Sequence, residues 1–164
     1  MSNETDPADH SSRNDHPGVV IRPPLLWLGL LLTGLLLDHL LAPDWGWPWL
    51  VRLIGAGLFL AGGALVLAAA RQFRRAGTNV PTNRPSLTLV REGLYRRSRN
   101  PIYIGLITAY VGAAWALVSP MALLLLPVLI AVLRYGVIAR EERYLRSRFA
   151  ADYDAFCAVV PRWL

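Results

Sequence analysis

Apolar residues in this chain gather into four long blocks separated by short polar or basic stretches. "PPLLWLGLLLTGLLLDHLLAP" and "WLVRLIGAGLFLAGGALVLAAA" each approach the ~20 residues a helix needs to cross a bilayer. "IYIGLITAYVGAAWALV", on the short side, and "PMALLLLPVLIAVLRYGVI" follow. A water-soluble fold would have to bury nearly all of these faces at once. The pattern predicts an all-α integral membrane protein with four transmembrane helices in two hairpins. The spans are expected at about 25–41, 49–70, 101–118 and 120–138. "APDWGWPW" and "SP" are the turns within the hairpins, and Pro101 suits the first position of a helix because its missing N–H is not needed there. Beyond 138 the helical pattern continues through "AREERYLRSRFAADYDAF", predicting a cytoplasmic C-terminal helix over 139–164. The polar, aperiodic start, 1–23, reads as a disordered cytoplasmic tail, leaving one membrane domain over 24–164. It is too polar for a signal peptide.

Charge orients this arrangement. The loop 71–100 carries Arg71, Arg74, Arg75, Arg84, Arg91, Arg96, Arg97 and Arg99 against a single acid, Glu92. By the positive-inside rule that side is the cytoplasm, with both termini on it and the bacterial inner membrane as the expected location. Trp45, Trp47 and Trp49 fit the opposite interface. The 164 residues are 54% hydrophobic with a net charge of +6, and the mean hydropathy is +0.37. All seventeen basic side chains are Arg. In a membrane protein this excess serves topology and anionic lipid heads; no nucleic-acid motif accompanies it, so no nucleic-acid partner is expected. One cysteine, Cys157, and three histidines, two of them in the leader, leave too few ligands for a metal site.

Ionisable residues within the apolar blocks are functional candidates by default. Asp38 and Arg52 lie near the same external edge, where a structural pair is the expected reading. Arg134 sits a turn before the cytoplasmic end of the fourth block. At 100° per residue it shares a face with Glu141, about 10 Å further along the axis, and Glu142 flanks that face. Taken alone, such spacing is ordinary helix-surface pairing.

Two basic regions change the balance. "GLYRRSRNPIYIG" supplies Gly93, Tyr95, Arg99, Asn100, Pro101, Tyr103 and Gly105, and "EERYLRSRFAADYDAFCAVVP" supplies Glu141, Glu142, Leu145, Phe149, Tyr153 and Pro161. In this order around a short hairpin, from about Thr78 onward, they resemble the isoprenylcysteine carboxyl methyltransferase family, whose wider group includes phospholipid N-methyltransferases. The family histidine is Asn100 here, its glycine after the phenylalanine is Ala150, and its second tyrosine is Phe156. Val137 stands where the eukaryotic enzymes carry a substrate-binding arginine. The resemblance implies S-adenosylmethionine as cofactor, without a dinucleotide-binding fold. Cofactor contacts are implied at Leu87, Thr88, Leu89, Val90, Tyr95, Asn100, Pro101, Ile102, Tyr103 and Glu141. Arg134 and Glu142 are the candidates for acceptor binding and catalysis.

The resemblance implies methyl transfer to a lipid-like or hydrophobic acceptor. A carboxylate, as in isoprenylcysteine methylation, needs no general base, whereas a protonated amine must first lose its proton; Asn100 does not titrate. Alternatives are phospholipid N-methylation, an NADPH-dependent membrane reductase with a similar C-terminal hairpin, and a non-catalytic protein that binds anionic lipids. Oligomeric state is not legible in the pattern.

Overall fold

The computed structural model describes residues 22–41, 46–78 and 88–164. Residues 1–21 of the expected leader, the first half of the first turn with Trp45, and Leu87 lie outside the described residues. Those described form helices and connecting segments, with no strand among them. Helix α1 spans Pro23–Leu41, α2 Trp49–Arg75, α3 Pro101–Ala116, α4 Pro120–Ala131 and α5 Ala139–Val159. A π-helical segment, Val132–Ile138, joins α4 to α5, and a 3-10 turn, Gly93–Arg96, precedes α3.

Among the described residues, three helical stretches are long and apolar enough to cross a bilayer: Pro23–Leu41, Trp49–Arg75 and the continuous Pro120–Val159. α3 is the shorter apolar helix. Its 16 residues rise about 24 Å, less than the ~30 Å hydrocarbon core. It is also the inner helix, touching α1, α2 and α4. The outer faces stay apolar: Leu25, Leu28, Leu32, Leu36 and Leu40 repeat at helical spacing along α1 and all are exposed. An apolar face this long is solvated by lipid rather than water, and the chain is an integral membrane protein.

Without a hydrophobic drive between helices in lipid, close backbone packing holds them. α2 and α3 meet through glycines on both sides, Gly55 against Gly112 and Gly62 against Gly105. A Cβ on Gly62 would lie 2.6 Å from the Gly105 carbonyl oxygen and would also meet the Ala109 backbone. Backbone cannot yield as a side-chain tip can, so Gly62→Leu is expected to separate the pair and lower the thermal midpoint in detergent sharply. Gly57, which has open space around it, should accept Ala without loss.

Several boundaries differ from the sequence expectation. α2 runs on to Arg75 and closes in a Schellman turn, with Gly77 at φ +65, Gly77 N–H on the Arg74 carbonyl and Thr78 N–H on the Phe73 carbonyl. Asp38 does not pair with Arg52, which is exposed. Its carboxylate instead accepts from the Ser119 hydroxyl and from Met121 N–H at 3.2 Å, while Ser119 itself caps α4 through Ala122 N–H. Unpaired N–H groups at a helix start attract a carboxylate more strongly than a solvated guanidinium does.

The C-terminal helix ends at Val159 and is broken at Ala150, whose φ of 39° and ψ of −117° lie in a region side chains avoid. This is the position at which the resembling family carries glycine. Ala150→Gly is therefore expected to stabilise the protein by about 1 kcal/mol, read as a higher unfolding midpoint in detergent; an unchanged or lower midpoint would show the kink to be unstrained.

Candidate active site

A cleft opens at one end of the bundle, where the last turns of α2, the start of α3 and the start of α5 converge. Phe73 comes from α2, Ile102 and Tyr103 from α3, and Glu141, Glu142 and Leu145 from α5. Thr88, Leu89 and Val90 form an irregular wall, Tyr95 arrives on the 3-10 turn, and Tyr153 and Phe156 return beyond the Ala150 kink. The lining is mostly aromatic and aliphatic, with its charge confined to Glu141, Glu142 and Arg99.

Glu141 is the unusual member. It is 6% exposed and lies past the apolar span, yet the neutral Tyr103 hydroxyl, which donates at 2.8 Å, is its hydrogen-bond partner. Burial pushes its carboxyl up to about 8, the Tyr103 hydrogen bond lowers it by less, and the neighbouring charge of Glu142 raises it further. Burial, and then the Glu141 charge, also hold the Tyr95 phenol well above its usual range, so it stays neutral. Tyr95 stacks edge-on against Phe73 with ring centroids 5.0 Å apart.

Glu142, one residue on, is in the opposite situation. Arg162 grips it bidentately, Nε to Oε1 at 2.9 Å and Nη2 to Oε2 at 2.7 Å, and Arg99 Nη1 stands 3.3 Å from Oε1. Around this ion cluster the last residues fold back over the start of α3. Arg99 N–H donates to the Pro161 carbonyl at 3.0 Å, and the Asn100 side-chain amide donates to the Arg162 carbonyl at 2.9 Å. Glu142 and Asn100 thus hold a C-terminal strap against the cleft.

Of the residues expected from sequence, the structure brings Thr88, Leu89, Val90, Tyr95, Asn100, Ile102, Tyr103, Glu141 and Glu142 to this cleft. Pro101 is buried at the first position of α3 but does not line it. Arg134 is not brought there: it is exposed, with its guanidinium 5.5 Å from the ring centre of Tyr135. The reason is the π-helical segment. Ala139 N–H bonds the Arg134 carbonyl five residues back, and each wider turn carries an extra residue. A count at 100° per residue fails across it, so Arg134 and Glu141 leave on different faces. Sequence reasoning missed Phe73, Arg99, Tyr153, Phe156 and Arg162 as site residues. Arg162 directly follows Pro161 of the quoted motif, a proximity that points to it; Phe73 carries no such signal.

These features define a helical membrane protein with an aromatic cleft built around a buried carboxyl that has no ion pair among the described residues. The phospholipid methyltransferase family matches residues 50–152, from the first turn of α2 to just past the Ala150 kink, and the chain belongs to this family. Neither the curated proteins nor the solved structures gave a match. Membership makes the protein a membrane methyltransferase. Among the described residues no cluster of three His, Cys, Asp or Glu side chains could hold a metal ion.

Proposed function

We propose that the chain transfers a methyl group from S-adenosylmethionine to a lipid-like acceptor at the cytoplasmic face of a bacterial inner membrane. The four apolar helices then span as two hairpins with both termini in the cytoplasm, a reading supported by the basic segment between α2 and α3.

The observation that carries this reading is Glu141, a buried carboxyl lining the cleft with no cation in contact among the described residues. Burial keeps a carboxyl without a cation protonated, and a ligand carrying an ammonium or sulfonium would supply the partner that lets it ionise. S-adenosylmethionine, when bound, supplies a methyl group already activated by its sulfonium. Glu141 would hold the positive end, Tyr103 would orient Glu141, and Tyr95, Phe73 and Ile102 would pack the remaining surface. What the protein adds is alignment of donor and acceptor and exclusion of water.

The cleft must widen to do so. Its void is about 50 Å³, room for a few waters. Behind the same Thr88–Val90 wall lies a second cavity of about 550 Å³ bordered by Gln72, Arg75 and Glu92. Both spaces share Thr88, Leu89 and Val90, so a donor larger than the first void would need this irregular wall to shift.

For the acceptor, the family's own chemistry favours a phospholipid amine, with a hydrophobic carboxylate as the second class. Purified protein in lipid vesicles, supplied with methyl-tritiated S-adenosylmethionine, should place label in the organic-extractable fraction. Label confined to the aqueous phase with amine-bearing and acidic lipids alike would contradict the proposal.

A further inference from the structure

Arg99 is the cation on the wall of the cleft, and its side chain is 14% exposed. One end of its guanidinium is committed: Nη1 faces Glu142 at 3.3 Å and donates to Cys157 Sγ at 2.8 Å. Its Nε is buried and has no hydrogen-bond partner among the described residues. A buried donor left unsatisfied is unfavourable and rare in a folded protein.

The local charge count sharpens this. Arg162 already places both Nε and Nη2 on Glu142. Two guanidinium groups therefore share one carboxylate, and the surplus positive charge falls beside the cleft at Arg99. The Nε edge of a guanidinium presents parallel N–H groups that match the two oxygens of a carboxylate. Glu141, which has no ion pair among the described residues, lines the same cleft. A wall offering an unsatisfied guanidinium Nε and a carboxyl with no cation among the described residues matches a ligand that bears both charges close together. An α-amino acid end does so, with ammonium and carboxylate on one carbon. A ligand with an oxyanion alone would leave Glu141 unpaired.

We propose that Arg99 seats the α-carboxylate of the methyl donor through its Nε edge, so that Arg99 and Glu141 together read the donor's amino-acid zwitterion. This rests on the donor reading above and adds a recognition residue to it. Glu142 and Arg162 are then positioning residues, fixing the Arg99 plane through its other end.

The test compares two ligands in each protein variant. S-adenosylhomocysteine and its decarboxylated counterpart, which keeps the amine and lacks the carboxylate, are titrated calorimetrically into the full chain in detergent. The wild type should bind the carboxylate-bearing ligand about 10- to 100-fold more tightly, the range of a charge-assisted bidentate contact. In Arg99→Gln and in Arg99→Lys, which keeps a charge for Glu142 but lacks the planar edge, the ratio should fall to within about threefold. Because each ratio is taken within one variant, a partial folding defect cancels, and the lysine variant suffices if the glutamine variant does not fold. Equal binding of both ligands by the wild type would overturn the inference, leave the donor reading standing, and assign the Nε edge to an acceptor group. A large ratio persisting in both variants would also overturn it, placing the carboxylate elsewhere. Binding of neither ligand would remove the inference and the donor reading together.

Discussion

Glu141→Gln is expected to weaken S-adenosylhomocysteine binding about 100-fold, the loss of a charge-assisted contact in a buried site. The same substitution should leave the ligand-free protein at least as stable as the wild type. The direction follows from the carboxyl, which burial lifts from 4.5 to about 8. A folded-state value above the unfolded one gives a contribution fully present below about pH 4.5 and lost as pH rises through about 8. Between those limits the folded chain binds a proton that the unfolded chain has released. Wild-type stability should therefore fall relative to Glu141→Gln across this window, read as thermal midpoints at a series of pH values. Ligand affinity should move the opposite way. The cation needs the ionised carboxylate, so binding strengthens as pH rises toward 8 and stops strengthening once Glu141 is ionised without help. Parallel stability curves for the two proteins, or an affinity independent of pH, would count against the assignment.

Glu142→Ala should act on stability instead. Its carboxylate is 11% exposed and bridges Arg99 and Arg162, offsetting one of their two charges, so its removal leaves two guanidinium groups facing each other at the strap. Breaking a buried pair from one side costs about 3–5 kcal/mol; the lower end applies here because Arg162 is 38% exposed and partly screened. Thermal unfolding should show that loss, and proteolysis should reach Val160–Trp163 at lower protease concentration. Donor affinity should drop by less than in Glu141→Gln, since Glu141 and Tyr103 stay in place. An unchanged midpoint with abolished methyl transfer would make Glu142 a participant in the chemistry rather than a brace. The two adjacent glutamates thus separate by partner: among the described residues, one is held by two cations and the other by a hydroxyl alone.

How far the chain could be read from its pattern varies along it. The helical blocks were legible because lipid exposure demands apolar residues on whole faces, and Pro101 marked the start of α3 by its missing N–H. The meeting of the α3 start with the first turn of α5 was legible from motif order; the 2.8 Å Tyr103–Glu141 hydrogen bond is its geometric form. Register through Val132–Ile138 was not, because a local switch from i+4 to i+5 hydrogen bonding leaves no periodic trace in the sequence. The Asp38 cap was hidden for a related reason: Arg52 and Ser119 both lie near the same end of the bundle, and only the observed α1–α4 packing selects between them. The Arg162 grip joins residues 20 apart across a kink, beyond the reach of helical spacing. Asn100, where the resembling family carries histidine, shows a use that composition could not reveal: its amide fastens the strap, a task that needs no titrating group.

The most direct test of the central claim is calorimetric titration of the detergent-purified chain with S-adenosylhomocysteine at pH 7, repeated in buffers of different ionisation enthalpy. With Glu141 protonated in the free protein and ionised against the ligand's ammonium, binding should release close to one proton, and that release should vanish in Glu141→Gln. No binding heat at any pH, or binding with no proton release and no response to Glu141→Gln, would contradict the account.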